Sequence, residues 1–316
     1  MSTNNNEPTK TANDKKKMRI KKGLFAGGMV FLLGVLLFVA GMSALDWDFY
    51  KLDTTTYTAK SFAPAPDQTV TRVELDVDSF PVTVTVGDAL ALSYFEAGDS
   101  NVSVTCEDGV LKVKEDYTYR FMKNSWFNFG RLKRKYELTL PQGVEIVLVG
   151  SSGDVTLNGL QLGDLAVNSA NLDLILRDCT FQSLTVESAN ADIELYNCTG
   201  GKVSAEGVNL DFEAQGCAFA SLYVKGTNAD VELLNVTAPA MEIRGTNADF
   251  ALENIRTDAL TVHGTNLDAH IIINGAKADY TIVTSGRDLP DEQTGATDKR
   301  IALSGTDNDV TLRFAA

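Results

Sequence analysis

Asparagine and aspartate recur through the second half of the sequence as Asn-x-Asp triplets at one fixed spacing. Nineteen residues separate each asparagine from the next, and the set is Asn171, Asn190, Asn209, Asn228, Asn247 and Asn266. An aspartate follows each asparagine by two residues, and one more precedes the series, so the second set is Asp154, Asp173, Asp192, Asp211, Asp230, Asp249 and Asp268. Rows of carboxylates suit hard cations such as Ca²⁺, whereas stacked amides can hydrogen-bond to one another. The triplets therefore suggest cation binding or a hydrogen-bonded ladder.

The asparagine set is interpreted as a structural ladder at a corner of each repeat. The residues before each asparagine are Ser-Ala, Gly-Val or Gly-Thr, which favour turns, and asparagine tolerates left-handed backbone geometry. Two interpretations of the aspartate set stay open. One is a solvated column that opposes aggregation, since like charges on neighbouring strands repel each other. The other is a cation site on the surface, but the Gly-Gly-x-Gly-x-Asp calcium repeat does not occur, so we assign no metal ion and no cofactor.

Apolar residues surround each triplet at every second position, which is the periodicity of a β-strand. In the repeat of Asn228 these residues are Ala229, Val231 and Leu233, and a second short strand precedes the triplet. A unit of 19 residues cannot bury an apolar face alone, but stacked units bury a continuous core. The sequence therefore predicts an all-β fold, a single-strand-coil β-solenoid (β-helix) with 19-residue rungs over residues 151–316.

The part of the chain before the repeats is also rich in predicted strands. Residues 67–150 alternate between apolar and polar positions and break at Gly-Asp and Asp-Gly turns, but they follow no 19-residue period. We expect them to form an irregular β-rich segment at the start of the solenoid. At the other end the last rung leaves an open strand edge that needs protection, and the charged loop 286–300 is the candidate to cover it.

Residues 23–45 contain no charged side chain and form an apolar stretch long enough to cross a hydrocarbon core of roughly 30 Å. Residues 1–22 are net +5, whereas the rest of the chain is net −19. The positive-inside rule makes 1–22 a cytoplasmic basic tail, 23–45 a transmembrane helix, and everything after it extracytoplasmic, beginning with a linker at 46–66. A cleaved signal peptide is the alternative, although its apolar region usually has about 7–15 residues. We expect a single-pass protein of the cell membrane.

Residues 117–136 depart from the acidic character of the rest of the chain. Aromatic residues, Trp126 and Phe127 among them, alternate there with cations, which are Arg120, Lys123, Arg131, Lys133, Arg134 and Lys135. One interpretation is a hairpin with packed aromatic rings and solvated cations. The other is a loop that contacts anionic lipid or a cell-envelope polymer, because basic residues with aromatic anchors suit a membrane interface. Nucleic acid is not an expected partner, because its phosphates favour a basic protein surface and the chain after residue 22 is net −19.

The stretch "LPQGVEIVLVGSSGDVTLNGLQLGDLAV" and the recurring Gly/Ser-x-Asn-x-Asp-Val/Ile units resemble a bacterial family of adhesin-like proteins of unknown function. The resemblance covers roughly residues 68–316. It implies a fold of β-strand repeats and an N-terminal membrane helix. Some relatives are implicated in sensing envelope stress. The family has no established catalytic residues, so the resemblance implies none here.

Three classes of function remain, and a binding or scaffold module without enzymatic activity, adhesin-like, is the first. Its partner would be a cell-envelope polymer, a lipid or another protein. A membrane-anchored regulator that senses envelope stress or peptides is the alternative, and a carbohydrate-active enzyme is the third. Against the enzyme, His263 and His270 are the only histidines, and the sequence shows no nucleophile–base motif and no zinc spacing.

Overall fold

The protein forms two separate compact units, residues 1–54 and 55–316. The structure is a computed structural model that describes residues 12–48, 57–66, 68–77, 79–97, 101–116 and 135–315. The domain boundaries given by the sequence stay predictions, except where individual elements are described below.

The first unit contains one long helix, α1 (Ala12–Ala44). Its segment Gly27–Ala44 has a mean hydropathy of 2.1 and is long and apolar enough to cross a membrane or to serve as a signal sequence. The helix begins earlier than the predicted span 23–45, because the residues before it include Ala, Lys and Met, which favour helices. After the helix, the ring of Trp47 packs edge-on against Phe38 with 6.5 Å between the ring centroids.

The second unit is built almost entirely from strands, which form a single 17-stranded sheet. In chain order the strands are β1 (Tyr57–Phe62), β2 (Arg72–Asp76), β3 (Ser79–Val86), β4 (Ala91–Ala97), β5 (Asn101–Glu107), β6 (Val110–Asp116), β7 (Tyr136–Leu140), β8 (Glu145–Asn158), β9 (Asp164–Arg177), β10 (Thr180–Tyr196), β11 (Thr199–Gln215), β12 (Ala218–Leu234), β13 (Ala240–Ile255), β14 (Ala259–Asn274), β15 (Tyr280–Gly286), β16 (Lys299–Gly305) and β17 (Asn308–Ala315). One turn of 3-10 helix, Lys277–Asp279, lies between β14 and β15.

Strands β8 to β14 stack as successive rungs of a parallel β-solenoid. Each residue pairs with the residue 19 positions later, as Asn190 does with Asn209 and Asn209 with Asn228. The same offset holds from β8–β9 through most of β13–β14. The predicted β-solenoid with 19-residue rungs is confirmed, and it has about eight turns.

Two further turns at the N-terminal end are assembled out of chain order. Strands β2 and β3 form the turn next to β8, and β6 and β7 form the turn beyond it, all in parallel pairing. The antiparallel strands β5, β4 and β1 then lie along the outer edges. Because the strands of one turn come from separate parts of the chain, residues 67–150 show no 19-residue period.

The apolar core follows the inward positions of each rung, and the alternation shifts phase three times per rung. In the rung that starts near Leu222, two neighbouring residues are exposed at Thr227–Asn228, at Leu234–Asn235 and at Pro239–Ala240. Asn235 has a φ of 57°, which lies in the left-handed region that asparagine tolerates. Strict alternation over 19 residues, an odd number, would turn each inward position outward one rung later. The three phase shifts cancel this change, so equivalent residues of successive rungs all face the core.

The C-terminal edge of the solenoid is covered by the loop that follows β15. Strand β16 pairs with β14, and β15 pairs with the outer edge of β16. On the far side of β15, the backbones of Ile282 and Gln293 exchange two hydrogen bonds of 2.8 and 3.0 Å. The side-chain amide of Gln293 also donates to the carbonyl oxygens of Lys277 and Tyr280. The loop predicted to protect the edge therefore does so at β15.

Candidate functional site

The six asparagines form a continuous ladder along the surface of the solenoid. Nδ2 of each one donates to Oδ1 of the asparagine one rung earlier, with donor–acceptor distances of 2.6–2.9 Å. The first member, Asn171, donates instead to the backbone oxygen of Ser151 at 3.4 Å. Each inner asparagine therefore both donates and accepts within the column, which ties neighbouring rungs together outside the backbone.

Small residues before each asparagine allow the chain to turn tightly. A Cβ atom built on Gly245 would lie only 2.4 Å from Cβ of Ala248, so a larger residue would displace the chain. In the earlier rungs serine takes this position, and the hydroxyl of Ser188 donates to the backbone oxygen of Asn190 at 2.8 Å. The Gly/Ser-x-Asn pattern is thus explained by a close approach of the chain to itself over three residues.

The aspartates form a second column beside the ladder. All seven are exposed or partly exposed, and within the described ranges none of them forms an ion pair. Partial burial raises the pKa of Asp173, Asp192 and Asp230 above the usual range, and negative neighbours in the column raise it further. Successive carboxylates stand roughly 4.8 Å apart, the spacing of the strands that carry them. Among the described residues, the column is therefore a line of negative charge without an ion-pair partner.

The two columns line a continuous surface groove, here called the acidic groove, which consists of two hollows. The N-terminal hollow has a volume of about 370 Å³ and is lined by the triplets between Ser152 and Asp211. The C-terminal hollow has a volume of about 740 Å³ and is lined by the triplets between Asn209 and Asp309. They share Asn209 and Asp211, so the groove runs along most of the solenoid.

The C-terminal hollow contains extra acidic residues, and one asparagine with a buried side chain is part of its lining. Asp288 and Asp307 join its lining, each with a left-handed backbone, at φ of 54° and 52°. Asn308 also lines the hollow and is 7% exposed. Its Nδ2 donates to the backbone oxygen of Arg287, but no donor reaches its buried Oδ1 in the part of the chain that the structure describes. The C-terminal hollow is thus lined by seven aspartates, against four in the N-terminal hollow.

The arrangement does not favour a metal centre. Among the described residues, no three His, Cys, Asp or Glu side chains are placed to hold one metal ion. The aspartates succeed one another one strand apart in a line and do not converge on a common point. The interpretation of the column as a Ca²⁺ site therefore gains no support from the geometry.

Most of the predicted lipid or polymer contact lies outside the described residues. This applies to Arg120, Lys123, Trp126, Phe127, Arg131, Lys133 and Arg134. Lys135 is described, and its Nζ lies 2.5 Å from Oε1 of Glu137. The stretch connects two described strands, because β6 ends at Asp116 and β7 begins at Tyr136.

Two histidine–hydroxyl pairs that were not predicted from the sequence lie outside the acidic groove. Nδ1 of His263 is 2.9 Å from Oγ of Ser304, and Nδ1 of His270 is 2.7 Å from Oγ1 of Thr311. Both pairs are exposed, and no hydrogen bond to the other ring nitrogen is present in the described ranges. Without a carboxylate to orient the imidazole, these pairs lack the third member of a catalytic triad. Both join residues 41 apart, which hides them from a search at the 19-residue period.

Comparison with solved structures gives distant likenesses. One is a crystal structure described as a "putative adhesin" from Bacteroides fragilis, with 14% identity, 82% of this chain and 97% of that chain covered, and a TM-score of 0.37. Another, described as a "putative lipid binding protein" from Parabacteroides distasonis, has 11% identity, 83% and 97% coverage, and a TM-score of 0.34. Comparison with curated proteins gives no match.

A family model also matches most of the chain. It covers residues 70–302, which include all of the rungs from β2 through β15. The resemblance to a bacterial β-repeat family of unknown function, expected from the triplets, is confirmed by this match. The chain belongs to the Toastrack DUF4097 family.

Proposed function

We propose that the protein is a non-enzymatic binding module whose acidic groove takes up an extended, cationic ligand. The observation that carries this proposal is the column of aspartates that follows the groove from Asp154 to Asp268 and forms no ion pair with any residue that the structure describes. A cation in the groove would replace repulsion between neighbouring carboxylates by attraction. Partial burial raises the pKa of Asp230, and repulsion from Asp249 and Asp211 raises it further, as expected where carboxylates are crowded together.

The shape of the groove favours a long ligand over a compact one. Its lining spans eight successive turns, from Ser152 to Asp309, which at the strand spacing is roughly 34 Å. An extended peptide places side chains of one face roughly 6.6–7 Å apart, which does not match carboxylates roughly 4.8 Å apart. Recognition would therefore depend on charge density rather than on a fixed sequence register. A basic peptide or another linear polycation fits this description.

The N-terminal helix supports a location outside the cytoplasm. Seven Lys and Arg residues precede the apolar segment of α1, and the segment itself is long enough to cross a membrane. For an anchor and for a signal sequence alike, the positive-inside rule predicts that the solenoid lies on the outer side. There the groove would meet extracytoplasmic polymers and peptides, as an adhesin-like module or a peptide sensor would require.

Titration of the full-length protein in detergent micelles with fluorescent decalysine tests the proposal. We expect binding that weakens with added salt, because exposed charges are screened. A triple variant, Asp211→Asn, Asp230→Asn and Asp249→Asn, should raise the dissociation constant at least about tenfold at low salt, a loss of about 1.4 kcal/mol. Lower pH should also weaken binding, starting above the ordinary aspartate pKa of about 3.9, because the raised pKa values protonate the groove early.

A matched control separates the groove from the overall negative charge. Asp258, Asp279 and Asp298 lie outside both hollows, so replacing all three by asparagine makes the same change in net charge. This control variant should bind decalysine almost as the unchanged protein does. Equal weakening by the two triple variants would show that decalysine follows net charge, and the groove would lose its assigned role.

A further inference from the structure

The C-terminal end of the solenoid is capped over β16 but not over β17. Strand β15 lies on β16, and the backbone of Gln293 in the following loop pairs with Ile282 of β15. Strand β17 pairs with β14, and no other strand that the structure describes pairs with it. One edge of β17 is therefore open.

The hydrogen bonds between β14 and β17 show which backbone groups face the open edge. The N–H of Leu267 donates to the carbonyl oxygen of Asp307, and the N–H of Gly275 donates to that of Ala315. Successive residues of a strand direct their backbone groups to opposite neighbours in the sheet, so the odd-numbered residues of β17 face β14. The even-numbered residues face the open edge.

Three even-numbered residues, Val310, Leu312 and Phe314, thus present six backbone groups to the open edge. No residue that the structure describes forms a hydrogen bond with these groups. The side chains of these residues point inward, but Leu312 and Phe314 are only half-buried, whereas Ile271 and Ile273 of the rung below are fully buried. The open edge therefore combines unused backbone groups with partly exposed apolar surface.

Strand β17 has few of the features that protect edge strands from pairing. A proline, a lysine or a β-bulge commonly blocks such an edge. Strand β17 contains no proline and no lysine, and it pairs with β14 without a shift of register. The loop after β15 contacts the start of β17, where the side chain of Asn308 donates to the backbone oxygen of Arg287. From Val310 onward, the edge is accessible to another strand.

We infer that the open edge of β17 binds an extended peptide segment of another protein, which adds a strand to the sheet in the parallel direction of the rungs below. The six backbone groups match another extended backbone, and Leu312 and Phe314 favour apolar residues at alternate positions of the peptide. The neighbouring Arg313 is exposed and forms no ion pair with a described residue, so an acidic residue opposite Arg313 completes the match. Residues 310–315 do not line the acidic groove, so the inference is independent of the proposed function.

A short fluorescent peptide, Ser-Val-Thr-Leu-Glu-Phe-Thr with a Gly-Ser tail, is the probe for the full-length protein in detergent micelles. Its glutamate lies opposite Arg313 when its leucine lies opposite Leu312. N-methylation of the glutamate amide, which faces β17 in this register, should weaken binding at least about tenfold. N-methylation of the leucine amide, which faces away from β17, is the matched control and should weaken binding much less. Bound probe should also slow hydrogen exchange at the N–H of Leu312.

Variants of β17 test the same contact from the side of the protein. Leu312→Pro removes an N–H at the edge but no hydrogen bond to β14, whereas Leu312→Ala truncates the same side chain and keeps the N–H. The proline variant should lose binding, and the alanine variant should only weaken it. Arg313→Glu should weaken binding at least about tenfold, and a probe with lysine in place of its glutamate should restore it. Circular dichroism should show the same strand content in each variant.

Three outcomes would overturn the inference. One is a probe that does not bind the unchanged protein. Another is equal binding of the two N-methylated probes, which decides the question even if Leu312→Pro does not fold. The third is self-association in sedimentation velocity that Leu312→Pro abolishes, which would assign the edge to a second copy of this chain. Decalysine should bind Leu312→Pro as it binds the unchanged protein, so the two proposals can fail separately.

Discussion

Each inner asparagine of the ladder makes two hydrogen bonds that tie three rungs together. Asn228 donates to Asn209 and accepts from Asn247, at 2.6 and 2.9 Å. Replacing Asn228 by alanine removes both bonds, and because the side chain is exposed we expect a loss of about 1 kcal/mol in the free energy of unfolding. Urea unfolding followed by circular dichroism measures it. Thr227→Ala is the control at the neighbouring exposed position, and an equal loss there would contradict the ladder's contribution.

The aspartate beside it should behave in the opposite way. Asp230→Asn removes a charge that repels Asp211 and Asp249, so the variant should be more stable at neutral pH by about 0.2–1 kcal/mol. A raised native pKa means that the native state binds protons more readily than the unfolded chain, so the repulsion disappears as the pH falls through that pKa. The advantage of the variant should shrink accordingly. Melting temperatures at neutral and acidic pH test this, and an advantage that is independent of pH would contradict it.

At the scale of single residues, the sequence predicted positions better than it predicted energetics. A constant spacing of 19 brings Asn228 next to Asn247, and the structure shows their side chains in contact. The pairing of His263 with Ser304 was not predicted. Their strands β14 and β16 are neighbours in the sheet, but β15 and its covering loop separate them along the chain and break the 19-residue spacing. The unpartnered Oδ1 of Asn308 could not be predicted either. Asn308 pairs with Leu267 and so takes an inward position that is apolar in the earlier rungs, and the repeat predicts an apolar residue there.

At the scale of elements, each rung contacts chiefly the rungs on either side of it, so one rung should be removable as a unit. Deleting residues 228–246 joins Thr227 to Asn247 and leaves all columns in register. We expect a folded protein with slightly lower stability, because the stability of a solenoid is nearly a sum over its repeats and their interfaces. The strand content by circular dichroism and the unfolding midpoint measure the effect.

Deleting only Ala229 should do more damage than deleting the whole rung. The deletion moves Val231 and Leu233 from buried to exposed positions in that rung, because successive side chains of a strand face opposite sides. A protein that tolerates the single deletion but unfolds when the rung is removed would contradict the register described above.

The elements of the solenoid were predictable because one pattern repeats in chain order. The turns at the N-terminal end were not predictable from that pattern. Strands β2 and β3 come first in the chain, yet in the sheet they lie between β8 on one side and β6 and β7 on the other. Such a turn buries the same kind of residues as its neighbours but draws them from two distant stretches. Local alternation reveals the strands, whereas their order depends on long-range pairing that periodicity does not encode.

At the scale of the whole molecule, the basic residues before Gly23 should keep the N-terminus in the cytoplasm. Protease added to intact cells or protoplasts should then digest the chain from residue 46 onward and spare the tail, because positive charges resist translocation. An epitope tag at each end, detected after digestion, reports the result. A protected C-terminal tag on intact protoplasts would place the groove on the other side of the membrane and remove its access to external ligands.

The in-register stacking of rungs also determines how the solenoid responds to force. The hydrogen bonds between β11, β12 and β13 run along the stacking axis, so tension along that axis opens the terminal rung bond by bond instead of shearing many bonds together. Each opened rung releases 19 residues, about 60 Å of extended chain. In single-molecule stretching we expect a sawtooth of low, evenly spaced peaks, and one large rupture would contradict it. A solenoid built this way lengthens in steps under a sudden pull while its inner rungs stay closed.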